Sequence, residues 1–174
     1  MTGNALASSV EKTHFLQRPR ALDSILYGGL AVGVLDGMAA VILTIYFGRS
    51  PKVMFQGIAS GLIGRASLEG GWTTALLGAS LHFLIAFIWA AIYYGVSLRL
   101  PALIRRAIVC GPIYGVVVYF AMQIIVLPLS AIRLSPFSFA ANLQGMLRGI
   151  IVHIICVGLP IALLARRAAE KTER

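Results

Sequence analysis

Four stretches of this chain are almost free of charge, and each is long enough to cross a bilayer. They cover about residues 24–47, 73–97, 107–129 and 147–165. At 1.5 Å of rise per residue, the first would extend about 36 Å as a helix, against a hydrocarbon core of about 30 Å. Inside that core no water satisfies backbone N–H and C=O groups, so uninterrupted apolar segments of this length must be helical. The expected fold class is therefore an all-α integral membrane protein, a four-transmembrane-helix bundle. Composition agrees: 59% of residues are hydrophobic and 12% are charged, where a soluble domain carries about a quarter charged residues.

The net charge of +9 would suit a nucleic-acid partner, but the placement of the basic residues argues for no nucleic acid and for the lipid bilayer. They sit just outside the apolar runs. With both termini inside, the inner face holds Lys12, Arg18, Arg20, Arg99, Arg105, Arg106, Arg166, Arg167, Lys171 and Arg174. The outer face holds only Arg49, Lys52, Arg65, Arg133 and Arg148, the last near a span end where its stem can reach the interface. That bias predicts cytoplasmic termini. Cys110 and Cys156 both fall in apolar runs without metal-ligand spacing, so they are expected as small buried hydrophobes.

Residues 1–23 are read as a cytoplasmic tail or surface helix, 24–167 as the transmembrane domain and 168–174 as a basic cytoplasmic tail. The first apolar run has full span length and lacks the short core of a cleaved signal. Between the first two spans, Ser50 and Pro51 match a helix N-cap and first residue. A helix from 51 to 64 would reach about 20 Å, too short to span. It is expected as an interfacial or re-entrant helix, with Gly57, Gly61 and Gly64 permitting close packing. The apolar loop 130–145 is expected over a cavity mouth.

Lipid gives helices little hydrophobic reason to associate, so packing depends on small residues that let backbones approach. Gly29, Gly33 and Gly37 recur every fourth residue on the first span. Gly78 begins a stripe through His82, Ala86 and Ala90 on the second. Gly111 and Gly115 mark the third, and Gly149 leads to His153 on the fourth. The glycine face of the first span could serve inside the bundle or between two copies in a homodimer or higher oligomer. Pro160 should free the carbonyl of Cys156 and bend the fourth span; Pro112 and Pro128 lie nearer helix ends.

Four polar residues lie deep in the spans. From the expected outer ends, Asp36 is about 16 Å down, His82 about 13 Å, and Gln123 and His153 about 9 Å each. Each is costly against lipid, so all should face the bundle interior. Asp36 is the one acidic residue deep inside a span, and an ionised carboxylate there needs a cationic or donor partner, which His82 or His153 would provide. Several readings stay open. The histidines could be axial ligands of a b-type haem, or bind a divalent metal with Asp36 as third ligand. They could handle protons or a small ligand such as a quinone, or form a purely structural polar network. Common nucleotide, protease, esterase and zinc signatures are missing from the sequence, which favours a non-enzymatic protein while leaving a membrane-embedded enzyme open.

The segments GLAVGVLDG, LGASLHFLIAFIWAAIYY and LPALIRRAIVCGPIYGVVVYFAMQIIVLPLS, with the His153 segment ending GLPIALLARR, resemble a family of small uncharacterised bacterial inner-membrane proteins. More distantly they are similar to YagU-type proteins, in the second-span histidine, the glycine-rich third span ending in proline and the final-span histidine. The resemblance implies a bacterial inner (plasma) membrane location and four helices, and no particular activity. The segment between the first two spans is shorter than in the YagU type.

Overall fold

A computed structural model describes residues 21–132 and 143–170. The readings of the two chain termini, and of residues 133–142 within the expected loop over the cavity mouth, lie outside them. Four helices are long and apolar enough to cross a membrane: α1 (Ala21–Tyr46), α3 (Gly71–Ser97), α5 (Ala107–Leu129) and α6 (Leu143–Glu170). The short helix α2 (Pro51–Ile63) lies between the first two spans, and one turn, α4 (Ala102–Arg105), joins α3 to α5. α1 starts three residues before its expected limit, with Asp23 in its first turn, where a carboxylate suits the helix dipole. α6 is longer than the expected fourth span at both ends.

Large aliphatic side chains point outward, among them Leu26, Leu30, Leu84, Ile88, Ile113 and Ile155, while the buried core is rich in Ala59, Ala86, Ala90, Ala107, Ala162 and Ala165. This suits a lipid surround, where large side chains lose nothing by facing outward and small ones let helices meet. In space α3 packs on α1, α1 on α6 and α6 on α5. Glycine lies in each of these seams. A methyl group at Gly29 would overlap the Phe87 ring and one at Gly33 the Phe83 ring, so the glycine face of α1 is used inside the bundle, against α3. Gly28 faces Ala90 on one side and Ile161 on the other.

Between α5 and α6 the backbones themselves meet. A Cβ on Gly115 would lie 2.5 Å from the carbonyl oxygen of His153, and one on Gly158 would overlap backbone atoms of Gly111 and Gly115. Gly158 is absent from the expected packing set, although Gly158 and Ala162 have small-x-x-x-small spacing. Gly149 accommodates the Tyr119 ring.

α5 and α6 each contain a π-helical stretch, Met122–Val126 and His153–Gly158. Each ends two residues before a proline, Pro128 or Pro160. A proline ring crowds the carbonyl four residues back and offers it no N–H, and a widened turn relieves both problems. Pro160 therefore acts at the expected place, and Pro128 perturbs its helix despite lying near the end. Pro112 sits inside the α-helical part of α5. Cys110 and Cys156 are free thiols, both partly buried.

Backbone contacts are harder to relieve than ring contacts. Gly115→Ala and Gly158→Ala should therefore lower stability by about 1–3 kcal/mol or more, Gly29→Ala by less because Phe87 can turn, and Gly57→Ala, which meets nothing within 4 Å, hardly at all. Thermal unfolding of the four variants in detergent checks this order; equal midpoints for Gly57→Ala and Gly158→Ala would contradict it.

Candidate functional site

The short helix α2 begins as its sequence predicts, with Ser50 at the N-cap and Pro51 in the first turn, and ends at Gly64 with φ 71°. What holds it against α3 is a polar staple that the sequence reading passed over. Gln56 is 2% exposed; its Nε2 donates to the Gly71 carbonyl at 3.0 Å and to Thr74 Oγ1 at 3.3 Å. Ser67 Oγ donates to the Gln56 carbonyl at 2.9 Å, and Thr74 Oγ1 to the Ser67 carbonyl at 2.6 Å. At the other end of α2, the Ala131 N–H donates to the Gly61 carbonyl at 2.8 Å, tying it to the chain that leaves α5.

The glycines expected to let α2 pack closely do not do so. Gly57 faces open space and Gly61 meets only Ser130, at ordinary contact distance. The yielding glycine is on the partner helix: a methyl at Gly78 would overlap the carbonyl of Phe55. Gly78 lies seven residues, about 10 Å, along α3, so α2 runs beside the first turns of the second span. Its Ile58 thereby reaches the bundle interior.

There it meets a cavity of about 100 Å³. Asp36 from α1, His82 from α3 and His153 from α6 line it, with Ile58, Trp89 and Met122 among the apolar walls. Three of the four deep polar residues are thus brought to one space by three different spans, and each is half-buried. Gln123 is not in the lining; its neighbour Met122 takes that place, on the π-helical stretch of α5.

Both histidines are oriented by backbone. His82 Nε2 lies 3.1 Å from the Gly33 carbonyl oxygen and His153 Nδ1 lies 2.9 Å from that of Gly149. A carbonyl only accepts, so each of these nitrogens carries a proton and donates it. Nδ1 of His82 and Nε2 of His153 remain for other chemistry. Gly37 makes room for the first ring, since a Cβ there would stand 3.2 Å from His82 Nε2, and the Tyr119 ring meets His153 edge-on at 5.3 Å.

The expected pairing of Asp36 with a histidine is not formed among the described residues. Among the described residues the only ion pair is Arg166–Glu170, at the far end of α6, so Asp36 shares the cavity lining with the two histidines without pairing to either. Nor do three His, Cys, Asp or Glu side chains come together as a metal-holding group among the described residues.

Trp89 of the cavity lining packs, towards the chain termini, against a pair of tyrosines. Tyr114 Oη donates to the Trp89 carbonyl at 2.6 Å, and Tyr93 Oη to the Leu103 carbonyl at 2.8 Å. The two tyrosine rings stack edge-on at 4.9 Å. Tyr93 is fully buried, and its ring and that of Tyr114 bridge α3 to α5.

Comparison of the chain with protein-family models, with curated proteins and with solved structures gave no match.

The staple has a measurable value. Gln56→Leu strips a buried donor from the Gly71 carbonyl and Thr74, and should cost about 1–3 kcal/mol. Hydrogen exchange should show the loss first in residues 51–70; an unchanged exchange pattern would show that Gln56 does not hold α2.

Proposed function

We propose that this protein is a non-enzymatic bacterial plasma-membrane protein, both termini cytoplasmic, whose Asp36–His82–His153 cavity takes up protons through a small cluster of bound water. The observation that carries the reading is the convergence of three ionisable side chains from three spans on one cavity. Polar groups at such depth are costly unless they serve one another or a function. At about 100 Å³ the space suits a few waters, each needing about 30 Å³. A drug-sized organic ligand needs about 300 Å³ or more, so the volume favours water and protons over a quinone or a haem. Histidine is the side chain whose charge ordinarily changes between pH 5 and 8, and each imidazole here keeps one nitrogen for proton exchange. The aromatic packing beyond Trp89, towards the chain termini, favours a one-sided proton-responsive site over a conducting path. The cytoplasmic placing of the termini rests on the basic residues outside the spans, and the bacterial location on the resemblance to YagU-type proteins.

A second reading has one specific observation in its favour. Metal-bound imidazoles typically donate their other ring N–H to a carbonyl or carboxylate, as both histidines do here. A metal held by two histidines, with Asp36 opposite, would use that same orientation.

The test is proton uptake by purified protein in detergent between pH 8 and pH 5. His82→Gln/His153→Gln, which keeps a donor for each carbonyl, should take up fewer protons per chain than the parent while retaining its helical circular dichroism. Equal uptake by parent and variant would overturn the proton reading. A bound metal that disappears in the same variant would establish the second reading. Greater stability of the double His→Leu variant with unchanged uptake would make the cluster structural, since packed apolar groups often replace buried polar networks without loss.

A further inference from the structure

A second pocket, at the end of the bundle that carries α2, has different chemistry. Leu43, Thr44 and Phe47 line it from the end of α1, together with Arg49 just beyond and Arg148 of α6, and its volume is about 360 Å³. None of these residues lines the central cavity.

Both arginines are placed by structure. α1 closes through Gly48, at φ 68°; the Gly48 N–H donates to the Ile45 carbonyl at 2.8 Å and the Arg49 N–H to the Thr44 carbonyl at 2.9 Å. This paired closure turns the chain back over the helix end and starts the Arg49 side chain beside the pocket. The Arg148 guanidinium lies 4.5 Å over the Phe47 ring, and its Nε donates to the Gln144 carbonyl at 3.3 Å. The only ion pair among the described residues is Arg166–Glu170, at the opposite end of the bundle. Two arginines thus line one pocket, and among the described residues neither is paired with a carboxylate.

An anion would pair with both, and the planar forks of arginine match phosphate oxygens in pairs. The rest of the lining is informative about what else the anion carries. Thr44 adds a hydroxyl, while Leu43 and Phe47 continue the wall as apolar surface down α1 into the span. A charged head at the helix ends with an apolar body beneath it is the shape of a membrane lipid. From this geometry we infer that the Arg49–Arg148 pocket binds the phosphate of an anionic phospholipid. Free phosphate shares the head chemistry but would leave the apolar wall unused.

Native mass spectrometry of the full chain in detergent, titrated with phosphatidylglycerol, phosphatidylcholine or inorganic phosphate, separates these sources. The parent should retain phosphatidylglycerol in preference to phosphatidylcholine, and millimolar inorganic phosphate should displace little of it. Arg49→Gln/Arg148→Gln should bind phosphatidylglycerol at least about tenfold more weakly, the scale expected for losing charged hydrogen bonds. Lys52→Gln removes one charge from the same end, where Lys52 lies 5.6 Å over the Trp72 ring, outside the pocket; it should leave retention unchanged. If the glutamine pair fails to fold, Arg49→Lys/Arg148→Lys keeps both charges without the forks and should still weaken binding several-fold. Equal retention by parent and arginine variants would overturn the inference, as would an equal fall in Lys52→Gln. Binding of inorganic phosphate with no preference between the two lipids would overturn the lipid assignment.

Discussion

The backbone contact between α5 and α6 governs how the remaining helices fit. In a bilayer, burying apolar side chains against each other gains little over leaving them in lipid, so association falls to van der Waals contact at short range. Gly111, Gly115 and Gly158 allow the two chains to touch along their peptide atoms. Once that seam is closed, α1 packs on α6 beside it and α3 packs on α1, each through glycine or alanine. α3 and α5 meet instead through Trp89, Tyr93 and Tyr114. Large rings bridge two helices by holding them apart, so the cavity is a consequence of three tight seams and one wide one.

That origin also explains the character of the cavity. Its polar lining comes from the helices of the tight seams, α1, α3 and α6, whereas α5 contributes the apolar Val118 and Met122. Gly33 and Gly149 have a double role, because their small size admits a neighbour while their carbonyls fix an imidazole. Packing and orientation are therefore not separable at these positions. A substitution that loosens the seam also turns the ring, and a loss of proton response there would not by itself identify a chemical role for the glycine.

Much of this arrangement was legible in the sequence because it depends on rules that act along one helix. Span lengths, the glycine repeat ending near Asp36, the common depth of Asp36, His82 and His153, and the start of α2 at Ser50–Pro51 are all of this kind. The residues that escaped notice depend on pairing between segments. Gln56 looks like an ordinary polar residue of a surface helix until Gly71 and Thr74 are brought beside it. Gly78 and Gly57 have equal claim to a packing role in the sequence, yet only the first meets a neighbouring backbone. Gln123 lies at the right depth but is not in the cavity lining, since depth along a span gives no bearing around it.

Bearing is what the widened turn of α6 controls. Successive residues of an α-helix are about 100° apart, so positions five apart differ by about 140° in direction; in a π turn, bonded from one residue to the fifth beyond it, they lie nearly above one another. His153 and Gly158 are the two ends of such a stretch. The first lines the cavity while the second meets Gly111 and Gly115. Pro160 thus works as an angular offset in the fourth span, rotating the histidine half of the helix relative to its small-residue half so that one rod serves both the site and the seam.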